Sequence, residues 1–411
     1  MNKVIGIDNS HLNKSSPVDS FRQTQENYSR WSGLVMPDKV LMLCLGLLML
    51  IGLVMVTTAS IPLAGQGGGW VFSYLLKQGI YMLLGLLVGF VVYLMPMQFW
   101  YKNAKYFVVL AVVLLLLTLL FAREVNGAHR WIRLGPVNLQ VSEFVRIAMI
   151  VYAAAFLQRY QNQIHKSLPA MFRLLAVLGV IAVLILKQRD FGSAVVISAT
   201  VLGMMFLAGV CLVRFFACAT GVAIIAAMVL IAEPYRVKRL TAYMNPWADM
   251  YGDGWQLINS LIAIGRGGIS GVGFGESLEK HHYLPEPHTD FIFSILAEEM
   301  GLVGVGVLML LFAVIVWRAF KIANNADKVR MRFASCLAYG VGLWIGMQAL
   351  INMSVASGLL PTKGLTLPMI SYGGSSVLAS MILFALLLRV DSESRYTLNN
   401  EQRHRRGVAK V

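Results

Sequence analysis

Charge is scarce in this chain, and negative charge scarcest. Among 411 residues, 20 Asp and Glu stand against 35 Lys and Arg, and charged residues make up only 13%. A soluble domain carries about a quarter, so a water-covered globule is excluded. Cysteine is also rare: Cys44, Cys211, Cys218 and Cys336 lie in or beside apolar runs, with neither metal-ligand spacing nor the density of a disulfide framework. No glycine run fits a nucleotide-binding loop, since no GxGxxG follows a buried strand and no GxxxxGK[ST] occurs. No repeat marks the inverted halves common in transporters. The formal net charge of +15 raises nucleic acid as a partner. The basic residues form no stripe interleaved with aromatics, so that class is set aside.

What the chain has in abundance is apolar residues, at 57%. Runs near the ~20 residues that span a bilayer recur near 40–60, 78–97, 104–122, 141–157, 170–186, 192–210, 214–232, 290–317, 334–356 and 367–389. These predict an all-α polytopic membrane protein of about ten spans. Residues 1–39 form a polar tail without a signal-peptide centre, residues 40–390 one helical unit, and residues 391–411 a basic tail. Most lysines and arginines fall in the two tails and in the loops near 98, 158, 211 and 318. The positive-inside rule therefore places both termini in the cytoplasm. The largest loop, 233–289, lies between spans seven and eight on the other side. Long loops in compact proteins are usually functional.

Four stretches carry candidate chemistry. The run Leu284, Pro285, Glu286, Pro287, His288, Thr289, Asp290 closes the long loop directly before an apolar run. Asp290 reads as a helix cap, as a proton acceptor at the membrane boundary, or as both. Around Arg130 and Trp131 a basic, aromatic segment reads as an interfacial belt. Glu143 and Arg146 follow it, three residues apart at the start of a span, where they share a helix face and can pair. Lys187, Arg189 and Asp190 form a charged turn, either solvated or facing the large loop, where its cations would suit a phosphate. Gly358 to Ser376 encloses Lys363 between Pro361 and Pro368 and leads small polar residues, Ser371 among them, into the last span. The glycines around Arg266 let backbone pack closely or approach a ligand.

The runs NPWAD with GDGWQ, LPEPHTDFIF with AEEMG, and GLLPTKGLTLPMISYGGSS resemble the SEDS family of bacterial shape, elongation, division and sporulation proteins. The TKGLTLP and GRGG forms are closer to its division branch than to its elongation branch. The resemblance covers roughly 40–390 and implies a ten-helix peptidoglycan glycosyltransferase of the bacterial inner membrane, at the division septum. Its substrates would be lipid II and the nascent glycan chain. Its partners would be a class B penicillin-binding transpeptidase and other division-machinery membrane proteins. The Asp of the HTDF motif, Asp290 here, would be catalytic. Lys363, Arg239, Arg130, Lys187 and Arg266 would grip the departing pyrophosphate, with Glu286, His288, Asp190, Glu143, Arg146 and Ser371 also at the substrate site. A divalent cation, Mg2+ or Mn2+, could accompany the pyrophosphate, although no dedicated metal motif is present. The chain departs from the family pattern at Val141 and Arg189, where proline is usual, and at Arg146, where lysine is usual. The rival readings are a lipid II transporter, a non-catalytic scaffold for the transpeptidase, and the elongation-type polymerase.

Overall fold

The computed structural model describes residues 36–66, 70, 72–122, 130–134, 137–164, 168–252, 254–281, 283–361 and 364–408. Nine helices among them are long and apolar enough to cross a membrane, and a shorter apolar helix, Phe191–Leu207, brings the number to ten. In chain order these are α1 (Lys39–Gln66), α2 (Ser73–Leu94), α3 (Met97–Phe121), α4 (Val141–Arg159), then the short α5 (Gln161–Ile164), α6 (Leu168–Lys187), α7 (Phe191–Leu207) and α8 (Leu212–Ile231). The long loop contributes α9 (Pro234–Met244) and α10 (Trp255–Gly267), and α11 (Ile292–Lys328), α12 (Arg332–Ala356) and α13 (Gly374–Val408) complete the bundle. All ten expected spans are present. The last begins at Gly374 rather than near 367, because Pro368 and the left-handed Met369 (φ 65°) keep that segment out of a helix. The expected tail beyond 391 continues α13 without a break as far as Val408.

Burial separates a centre from a rim. The apolar windows of α4, α12 and α13 are 83%, 67% and 78% buried, whereas that of α8 is 0% buried and lies on the outside. The central helices are also the ones that carry polar side chains into the bundle, as lipid requires.

One break in regular structure organises the long loop. Within α11, Gly301 adopts φ 62° and ψ −163°, which interrupts the helix and frees backbone groups that hydrocarbon cannot satisfy. The loop supplies partners on both sides. Val272 N and Gly273 N donate to the carbonyls of Glu298 and Glu299 (3.0 and 3.1 Å), and the carbonyls of Gly268 and Ile269 accept from Leu302 N and Val303 N (3.0 and 3.2 Å). A Cβ on Gly271 would lie 2.2 Å from the Glu299 carbonyl oxygen, so the glycine run serves close packing. The side chains complete the clasp. Buried Glu298 accepts from Arg266, Ser277 and Leu278 N, and buried Glu299 pairs with Lys280 at 3.0 Å. Gly271→Val should lower stability by about 2 kcal/mol or more, from backbone strain and overpacking together. Thermal unfolding of the purified protein in detergent measures this, and an unchanged midpoint would refute the clasp.

Candidate active site

Four segments meet where the long loop enters α11: residues 286–290, the turn before α7, the segment 364–376 leading into the first turn of α13, and a hairpin before α4. The hairpin pairs β1 (Trp131–Leu134) with β2 (Val137–Gln140) in antiparallel register, Trp131 opposite Gln140. Its connection to α13 is through Ser375, which accepts from Gln140 N (2.9 Å) and donates to Asn138 O (3.0 Å).

The backbone of the HTD segment is held residue by residue. The carbonyl of His288 accepts from Tyr372 N (2.9 Å), that of Thr289 from Ser371 Oγ (2.7 Å), and that of Asp290 from Asn352 Nδ2 (3.0 Å). Ser371 Oγ also accepts from Leu367 N (2.7 Å), and Asn352 Nδ2 also donates to Leu365 O (2.6 Å). The loop that carries Asp290 and the segment before α13 are therefore one unit. The Asp290 carboxylate itself points at Gly364, where a Cβ would lie 2.7 Å from Oδ2. Only glycine lets the carboxylate sit there.

Beneath this unit runs a buried polar chain. Arg146 donates to Glu143 (3.0 and 3.3 Å) and to Gln348 Oε1 (2.6 Å), while its guanidinium lies 5.2 Å from the Trp344 ring. Gln348 Nε2 donates to Thr366 O (2.8 Å), and Thr366 Oγ1 lies 2.8 Å from Ser376 Oγ. Glu143 and Arg146 thus act as a brace, at 3% and 0% exposure, rather than as open ligands.

Asp190 caps α7 by accepting from Ser193 N (3.2 Å) and also receives Ser142 Oγ (3.1 Å). The preceding Arg189 sits at φ 60°, and its carbonyl accepts from the Arg130 guanidinium. A proline, locked near −65°, could not adopt this backbone, so the departure at Arg189 goes with a different turn. The departure at Val141 is harmless for the helix. It is the first residue of α4, the place where the missing N–H of a proline costs nothing, and valine fills it equally well.

Burial pushes the Asp290 carboxyl up to about 7, with Glu286 and more weakly Asp190 adding to the rise, while Arg130 and Arg239 oppose it. Asp290 keeps partial solvent contact, so crowding by protein atoms rather than full exclusion of water is responsible. His288 is buried. Its ring lies 5.2 Å from Tyr74 and 5.4 Å from Tyr372, and burial lowers its pKa against the pull of Glu286. It is a neutral packing residue of the loop at pH 7. Glu286, exposed and at φ 52°, instead accepts from Thr289 Oγ1 (3.2 Å).

Asp290, Glu286, Arg130, Arg239 and Asp190 therefore share one electrostatic neighbourhood, with His288 and Ser371 as its supports. Lys187 is exposed at the end of α6 and Arg266 is engaged by Glu298. Neither is among the charges that set the acidity of Asp290. Lys363 lies outside the described residues. Asn352 and Gln348 went unnoticed in the sequence, although two amides four residues apart in an apolar span are a signal of interior hydrogen bonding. The Trp131–Leu134 stretch, followed by Gly-Pro and a second short alternating run, likewise carried a hairpin signal. No group of three His, Cys, Asp or Glu among the described residues is arranged to hold a metal.

The cell cycle protein family of FtsW, RodA and SpoVE matches residues 38–396. A protein of Dichelobacter nodosus named probable peptidoglycan glycosyltransferase FtsW is 46% identical over 386 residues, 93% of this chain and 97% of the relative. A Legionella pneumophila protein of the same name is 45% identical over 351 residues, covering 85% and 89%. Among solved structures, a chain from a peptidoglycan synthase complex, described for its structural coordination of polymerization and crosslinking, aligns with TM-score 0.72 at 27% identity, covering 88% of this chain and 99% of that one. The crystal structure of Thermus thermophilus rod shape determining protein RodA aligns with TM-score 0.64 at 25% identity, covering 88% and 98%.

Proposed function

This chain belongs to the FtsW, RodA and SpoVE family of cell cycle proteins, and from that membership we propose that it polymerises lipid II into glycan strands with Asp290 as the general base. It is a peptidoglycan glycosyltransferase of the FtsW kind and a multi-pass membrane protein. The observation that carries the proposal is the Asp290 carboxyl, pushed up to about 7 at the mouth of the bundle. A base titrating near the working pH is both ionised and basic enough to take a proton.

The acceptor sugar hydroxyl gives its proton to Asp290 as its oxygen bonds to the donor's anomeric carbon. The bond from that carbon to the lipid diphosphate breaks, and the diphosphate leaves with the electron pair. Arg130 and Arg239 supply positive charge near that point, and Lys363 is assigned to the same task. Fixed cations of this kind stabilise charge that develops in the transition state. Arg130 is oriented for it by the Arg189 carbonyl. The site at a helix end lets the polyprenyl chain stay in the bilayer while the headgroup reacts in water. A divalent cation would find carboxylates in Asp290, Glu286 and Asp190, but these make no three-ligand set. It would take most of its ligands from the diphosphate, and no step above depends on it.

The long loop is assigned to the outer face of the inner membrane and both termini to the cytoplasm, with a class B penicillin-binding transpeptidase and division-machinery proteins as partners at the septum. Ionisable residues at membrane depth would favour a transporter if they lined a path, but Glu143 and Arg146 are buried and paired with each other. Liposomes holding lipid II, this protein and its transpeptidase should yield glycan polymer. Headgroup movement across the bilayer without polymer would contradict the reading.

A further inference from the structure

At the end of the bundle opposite the long loop, α11 and α12 form an open, shallow cavity that none of the catalytic residues lines. Trp317, Lys321, Asn324, Asn325 and Lys328 of α11 line it, with Tyr339 of α12. We propose that this cavity binds the headgroup of an anionic phospholipid from the membrane leaflet on that side.

The helix arithmetic supports a single site rather than scattered surface lysines. Trp317, Lys321, Asn324 and Lys328 are spaced by four, three and four residues, so they stack on one face of α11. Two and four turns earlier on the same face stand Leu310 and Val303, exposed at 63% and 61%. The face therefore runs from apolar side chains at the depth of the acyl chains, through an interfacial tryptophan, to two ammonium groups and two amides. That sequence of chemistries matches an acyl chain, a glycerol backbone and a phosphodiester in order. Lys321 is held 5.1 Å from the centre of the Trp317 ring, and Tyr339 packs edge-on against Phe320 at 5.3 Å. The nearest acidic group on this part of α11, Asp327, is engaged by Arg332 at 2.9 Å. Arg318 lies 5.5 Å from the Trp317 ring and is paired with Asp38, and Lys321 and Lys328 are the cations that line the cavity. Neutral donors beside them distinguish the site from an ordinary snorkelling lysine, which needs only water around its head.

Native mass spectrometry of the full-length protein, released from vesicles of equal phosphatidylglycerol and phosphatidylcholine, tests this. The wild type should retain phosphatidylglycerol selectively, and Lys321→Ala with Lys328→Ala should reduce that retention about tenfold or more, from two juxtamembrane cations. Asn324→Leu with Asn325→Leu, which leaves the charge unchanged, should reduce it as well. Lys102→Ala with Lys105→Ala, exposed on α3 and not part of the cavity lining, should leave it unchanged. Retention equal in all four proteins would overturn the proposal. So would a loss in the α3 variant as large as in the cavity variant, which would mean diffuse attraction. Monodisperse elution in detergent qualifies each variant as folded, and the Asn pair provides a reading if the lysine pair fails that criterion.

Discussion

Asp290→Asn should lower the rate of glycan polymerisation by the purified protein, supplied with its proposed transpeptidase partner, by about 10²- to 10⁴-fold, the usual contribution of a general base. Asparagine keeps the shape of the side chain and cannot accept the proton. The fold does not suffer, because the bonds that fix this loop end on carbonyls: Tyr372 N on His288, Ser371 Oγ on Thr289 and Asn352 Nδ2 on Asp290. The unfolding midpoint in detergent should therefore match the wild type. Asp290 does not cap α11, whose N-cap position is Phe291 with no side-chain cap, so a loss of activity with a matching loss of stability would instead mark its carboxylate as a support of the loop. Gly364→Ala should mimic the loss in part, since its new methyl would stand 2.7 Å from Oδ2.

Arg146→Met should be the most destabilising single change at the site, by about 3–5 kcal/mol, because it leaves the buried Glu143 carboxylate without its partner. Gln348 Oε1 loses its donor at the same time, which cuts the chain that links α4 through Gln348 to Thr366. Activity should fall with stability here, which separates this brace from Asp290. Adding Glu143→Gln to Arg146→Met should recover part of the lost stability, since no charge then stays buried alone. Thermal unfolding of the single and double variants measures the difference, and a double variant no more stable than Arg146→Met would contradict a pairing role.

Much of this arrangement could be read from the chain before any coordinates. The ten spans follow from apolar runs of bilayer length, and Asp290 stands out because a carboxylate, a histidine and two prolines are unusual at a membrane entry. The Glu143–Arg146 pair was legible too, since three residues of helix bring them to one face. What the sequence withheld depends on contacts between distant segments. The glycines from 265 to 275 left tight packing and ligand approach both open until the break at Gly301 showed which carbonyls they meet. Arg266 looked as available as Arg239, and only the fold pairs it with Glu298. Asn352 has no neighbour in sequence to announce that it binds Asp290, 62 residues away.

The central claim, that Asp290 removes the acceptor's proton with an acidity set by burial and by Glu286, is tested most directly by the pH dependence of lipid II polymerisation. The rate should rise with pH to a plateau, with a half-point near the value of about 7 that the site imposes, and should fall about tenfold per unit well below it. Glu286→Gln removes a negative charge that favours the protonated form, so its half-point should move to lower pH. A rate that does not change between about pH 5 and 8, or a Glu286→Gln profile displaced to higher pH, would contradict the account.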